Sequence, residues 1–165
     1  GGLTASALPS VAPLTPNAEQ QQAMQNPQQL VQFWAEQIKQ ARYSEIEPLL
    51  TDSLRQAFRV RAPGSVEAFY RQQAEQAGGL TTYTVLDTRT PYDTDRVVAV
   101  DVDLTYAQQA SKATLDLVQS ESGWKIDNFG PRPNGPLPDI KLSDAQRQIL
   151  QELLLVQPMI WLLLN

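Results

Sequence analysis

The stretch "RVVAVDVDLTY", residues 96–106, sets the period of the second half of the chain. Val98, Val100, Val102, Leu104 and Tyr106 fall on one side, and Val97, Ala99, Asp101, Asp103 and Thr105 on the other. Alternation of this kind is the period of a β-strand with one face buried and one wet. Downstream, "KATLDLVQ" (112–119) repeats it, with Ala113, Leu115 and Leu117 inward and Thr114 and Asp116 outward. "SESG" (120–123) reads as a turn, and "WKIDNF" (124–129) starts a last strand with Trp124 and Ile126 inward. Upstream, the Thr/Val/Tyr-rich "TTYTVLDTRT" (81–90) precedes the turn-like "PYDTD". Strands this close, joined by short turns, predict an antiparallel meander.

The first half has a different period. Leu30, Val31, Trp34, Ile38 and Ala41 recur at spacings of three and four, the stripe of an amphipathic helix that Pro27 suits as a first-turn residue. Ile46, Leu49 and Leu50 continue an apolar face, with Pro48 near a new helix start. Thr51 or Asp52 can cap a helix carrying Leu54, Ala57 and Phe58. After the break "RVRAPGS" (59–65), Ser65 caps a third helix with Val66, Phe69, Tyr70, Ala74 and Ala77 on one side, and Gly78 and Gly79 stop it. Helices followed by an antiparallel sheet predict an α+β fold, N-terminal helices packed on a curved antiparallel sheet, plus a C-terminal apolar helix.

Four segments follow. Residues 1–26, with three prolines and a Gln run, read as a flexible linker with a short helical end; residues 27–130 form the α+β domain. Residues 131–142 form a proline-rich tether, four prolines falling within "GPRPNGPLPD" (130–139), and residues 143–165 a helix capped by Ser143. A chain starting at Gly1 with such a spacer suggests a trimmed, extracytoplasmic envelope protein whose anchor precedes it.

Composition narrows the chemistry. The 165 residues carry a net charge of −5, which argues against nucleic acid, since phosphate binding needs clustered cations. With no cysteine, disulfides and thiolate chemistry are excluded. With no histidine, the commonest general base and the commonest transition-metal ligand are missing. No cofactor or metal site is read from the sequence.

The Trp34 helix, the run "ARYSEIEPLLTDSLRQAF" (41–58), the helix closed by Gly78 and Gly79, and "GWKIDNF" (123–129) together resemble the nuclear transport factor 2-like (cystatin-like) superfamily over residues 28–130. The resemblance implies a cone of helices against a bent sheet, of the non-catalytic accessory type. Enzymes of that superfamily work between the sheet's concave face and the helices, with an aspartate base and a tyrosine or acid oxyanion hole. A pocket here would draw on Trp34, Tyr70, Tyr83, Asp87 and Tyr106, the parity of the first strand leaving Asp87 open to either face. The inward residues on the two clearest strands offer no acid or base, so the expected function is non-catalytic. The alternative is a small-ligand or isomerase-like pocket protein.

Two surfaces are candidates for contact. Asp101, Asp103 and Asp116 share the outer face of neighbouring strands, roughly 5–8 Å apart, with Lys112, Lys125 and Arg96 available to answer them. Arg55, Arg59, Arg61 and Arg71 concentrate on the second and third helices and predict a basic side opposite that acidic patch. The strongest candidate is the tail "LLLVQPMIWLLLN" (153–165). From Ile149 its apolar run is short of the roughly 20 residues that a spanning helix needs. It also lacks the cationic face of an interfacial membrane helix. It is expected either to cover its own domain or to pack on a protein partner or second copy. Leu153, Leu154, Met159, Ile160, Trp161 and Leu164 would supply that contact.

Overall fold

The computed structural model describes residues 11–91, 93–132, 143–146 and 148–149. The helices are α1 (Ala18–Ala23), α2 (Pro27–Lys39), α3 (Asp52–Val60) and α4 (Val66–Ala77), with two 3-10 turns, Tyr43–Glu45 and Glu47–Leu49, between α2 and α3. The strands are β1 (Leu80–Arg89), β2 (Val97–Tyr106), β3 (Ala110–Ser120) and β4 (Gly123–Pro131), a curved antiparallel meander in the order β1-β2-β3-β4. The fold is therefore α+β, as the change of period predicts.

Each α-helix starts on a polar cap. Asn17 and Gln20 form a reciprocal capping box on α1, Asn26 accepts from Gln28 and Gln29 ahead of Pro27, Thr51 accepts from Leu54, and Ser65 accepts from Ala68. These oxygens satisfy backbone N–H groups that the first turn leaves without partners. On α4 Gln73, rather than Ala74, lies buried beside Tyr70 and Ala77. Register shifts at Leu80/Thr82 and Val85/Thr88 in β1, and at Asp116/Leu117 opposite β4, bend the sheet as bulges do.

The inner face forms the core. Val100 pairs with Leu115 and Leu115 with Phe129, and Phe129 lies within 6.5 Å centroid distance of the rings of Trp34, Phe58, Phe69 and Tyr70. Trp124 is half-buried at the edge of this cluster. Val97 and Ala99, expected on the wet face, are buried instead. Ala99 is a methyl in register between Arg89 and Asp116, so longer neighbours overtop it.

The linker expected at residues 1–26 also requires correction from residue 12 onward. Met24 is fully buried, and its carbonyl accepts the Trp124 N–H at 2.7 Å, so the corner after α1 covers the free edge of β4. Gln20 donates from its amide to the Glu45 carbonyl (3.1 Å) and carboxylate (2.8 Å), and Arg55 donates to the Ala12 carbonyl at 2.6 Å. The Thr51 N–H to the Ile126 carbonyl completes the covering of that edge. At the other end β4 continues to Pro131, and Arg132 still donates its N–H to Lys112. Ser143 accepts from the Gln146 N–H and so caps the turn that follows it. The rest of the tether, and the tail contact residues Leu153, Leu154, Met159, Ile160, Trp161 and Leu164, lie outside the described residues.

Candidate functional site

The space in which the resemblance would put a reaction is filled by side chains. Trp34, Tyr70 and Tyr106 are buried there, and the Trp34 Nε1–H donates to the Tyr70 hydroxyl at 2.9 Å. Burial pushes the Tyr70 and Tyr106 phenols well above the ordinary tyrosine range, so both stay protonated. Tyr43 stacks on Tyr70 with centroids 6.2 Å apart, and its phenol is raised by the same cause.

Tyr83 and Asp87 do not join that group. Tyr83 stands half-buried on the α2 side of β1, its hydroxyl donating to Glu36 Oε2 at 2.7 Å. Burial, then the hydrogen bond and charge of Glu36, push the Tyr83 phenol up to about 12. Asp87 is exposed within the second bulge of β1, between Val85 and Thr88. Tyr106 is in register with Leu80 at the opposite end of that strand, seven residues from Asp87 and hence about 20 Å away. The two residues of the isomerase-like pair are not brought together.

Asp101 and Asp103 are close together, and Arg89 and Arg132 answer them rather than the cations expected. Asp101, 14% exposed, accepts from Arg89 (2.7 and 3.3 Å) and from the Thr114 hydroxyl (2.7 Å). Arg132 reaches toward Asp101 at 3.7 Å and bonds Asp103 at 2.8 Å. Burial alone would raise the Asp101 carboxyl, but the bonds from Arg89 and Thr114 and the charges of Arg89 and Arg132 hold it below the usual range. Arg89 was hidden from a strand-by-strand reading because only the register puts it beside Asp101. Arg132 was hidden because it falls in a proline-rich segment read as tether. Asp116 lies one pair further along, opposite Ala99 and Asn128. Among the described residues no group of three or more metal-ligating side chains could hold an ion.

Nor do the helix arginines form a free basic side. Arg55, only 2% exposed, is held by Asp52 (3.1 Å) and Glu47 (3.6 Å). Arg59 pairs with the same Glu47, and Arg71 with Glu67. Asp52 and Glu67 lie one turn from their arginines on the same helix, and Glu47 reaches Arg55 and Arg59 from the second 3-10 turn. A long-range contact that no local pattern signals, from Arg55 to Ala12, ties the N-terminal segment to α3.

Among the described residues, two grooves bear on the candidate site. One, of about 490 Å³, lies between the first 3-10 turn and the start of α4 and is lined by Tyr43, Glu47, Arg59 and Glu67 among others. The second, of about 530 Å³, lies between α1, α2 and β1. No described helix is long and apolar enough to cross a membrane. No protein-family model matches this chain, and no curated protein matches it either.

Proposed function

We propose that this chain is a non-catalytic interaction or assembly domain of the nuclear transport factor 2-like type, working outside the cytoplasm. It associates with a second copy or a protein partner through its apolar C-terminal segment. The observation that carries this reading is the interior. Val100, Val102, Leu115, Leu117 and Ile126 line the inner sheet face, and Trp34, Phe58, Phe69, Tyr70 and Phe129 occupy the space above it. Among the described residues this interior is a core packed with apolar and aromatic side chains, and the buried Asp127 carboxylate accepts from the Thr51 and Ser53 hydroxyls at the start of α3. The outer face is the weaker of the two contact candidates, because Arg89 and Arg132 already neutralise Asp101 and Asp103. The segment from Ile149 to Leu164 has the opposite character: it is apolar through most of a helical turn pattern and ends in an aromatic-bearing run around Trp161. An apolar surface of that kind is covered in any stable state.

The pocket alternative draws no support from the separation of Asp87 and Tyr106. The deciding experiment is the absolute mass in solution, by light scattering, of the full chain and of a version ending at Asp139. A full-length dimer and a soluble shortened monomer are the expected result. Two monomers, with the shortened one less stable, would mean that the tail belongs to its own core and would overturn self-association.

A further inference from the structure

The groove between α1, α2 and β1 is lined by an unusual set of side chains. α2 sends Gln29, Gln32, Glu36 and Gln37 into it and α1 adds Gln22, while Tyr83 and Phe33 supply half-buried rings. The Gln and Glu positions follow one another at helical spacings, so a single face of α2 carries them.

Two features distinguish this lining from a solvated helix face. Gln37 is only 6% exposed, yet its side-chain amide has no hydrogen-bond partner among the described residues while it lines the groove. Its amide atoms are not among the fully enclosed unpartnered ones, so the groove reaches them, and a ligand in place of water can complete them. Glu36 is also fixed in advance. Tyr83 donates to its Oε2 at 2.7 Å and Gln40 Nε2 to its Oε1 at 2.6 Å, which locks the carboxylate with lone pairs still free.

We propose that this groove binds a neutral, polyhydroxylated ligand, a saccharide chain. A glutamine amide places a donor and an acceptor side by side, and a pair of adjacent hydroxyls offers the matching acceptor and donor. Phe33 and Tyr83 provide flat apolar surface for the C–H face of a sugar ring. The volume falls within the roughly 300–1,000 Å³ of small-molecule sites.

Charge and topology exclude the other classes. Glu19 and Glu36 outnumber Arg42 in the lining, which disfavours phosphates and other anions. A cation would meet a Glu36 already bonded twice and lying in the field of Lys39 and Arg42. A peptide added as a strand would need the free edge of β1, which contributes only Tyr83 to the lining, the rest coming from α1, α2 and the turn after α2. This site is independent of association through the tail.

The test is a titration of the isotope-labelled full chain with cellotriose and, separately, with tri-N-acetylchitotriose, following the glutamine side-chain amide resonances by NMR. Saturable shifts at Gln37 and its neighbours with either sugar, at a Kd below about 1 mM, are expected. Gln37→Met should weaken that binding by about tenfold while leaving the backbone spectrum folded. If that variant does not fold, the exposed Gln32→Ala decides, with a weakening of about threefold or more. The proposal is overturned by no saturable shift at about 10 mM of either sugar, or by shifts confined elsewhere. It is equally overturned by unchanged binding in the variants, or by a tri-serine peptide moving the same resonances as strongly.

Discussion

Gly123 begins β4 at φ +121°, and a Cβ placed on it would lie 2.6 Å from the Met24 carbonyl oxygen and 3.1 Å from the Met24 side chain. That carbonyl is the one that accepts the Trp124 N–H and fastens the α1–α2 corner to the sheet edge. Gly123→Ala therefore acts twice. The backbone conformation alone costs an alanine about 1–3 kcal/mol. The clash in addition displaces Met24, with loss of one hydrogen bond worth about 1 kcal/mol and part of a buried side chain worth about 1–2 kcal/mol. The expected destabilisation is about 3–5 kcal/mol, a large share of the roughly 5–15 kcal/mol that holds a domain folded. Gly64 provides the control: its φ is +96°, but nothing lies within 4 Å of an added Cβ. Gly64→Ala should thus cost only the conformational part, about 1–2 kcal/mol. Urea denaturation followed by tryptophan fluorescence compares the two midpoints at constant slope. If the two variants differ by less than about 1 kcal/mol, the docking of Met24 on β4 contributes nothing and the N-terminal segment is a passive appendage after all.

Tyr70→Phe removes one oxygen from the core and leaves the Trp34 indole N–H without its acceptor, so denaturation should show a loss of about 1–3 kcal/mol despite the near-equal volume. Asp101→Asn should cost about 1–2 kcal/mol at neutral pH through its weakened bonds to Arg89 and Thr114. Because the folded Asp101 carboxyl sits below its unfolded value, its contribution is present above about pH 4 and fades as pH falls through the folded value. The gap between variant and wild type should accordingly close in acid denaturation series below about pH 4. Tyrosines act in the reverse sense. With Tyr70, Tyr83 and Tyr106 raised, the unfolded chain loses protons first, so stability should decline as pH rises above about 10. The phenolate absorbance of these three should then appear together with unfolding rather than before it, and Glu36→Gln should bring the Tyr83 titration down from about 12 toward the ordinary tyrosine value.

The sequence by itself determined the element types and most of their limits. Capping residues such as Thr51 and Ser65 act within one turn, and alternation in residues 96–106 is a property of the strand alone. The inward rows of β2 and β3 follow from that alternation, and every inward residue named there is buried. The apolar character of the tail is equally a matter of composition, and so is the absence of histidine and cysteine chemistry. Tertiary structure decided the pairings between distant segments. Register, set partly by bulges in β1, turned Asp87 away from Tyr106 and set Arg89 beside Asp101. A bulge changes the count by one residue, and no local pattern announces it. The segment read as linker became part of the core because Met24 and Gln20 found partners on β4 and the first 3-10 turn, contacts that span 25 residues or more. The α1–α2 groove has the same origin. A run of glutamines carries no signal of a site until folding buries Gln37, ties Glu36 to Tyr83 and brings α1, α2 and β1 together.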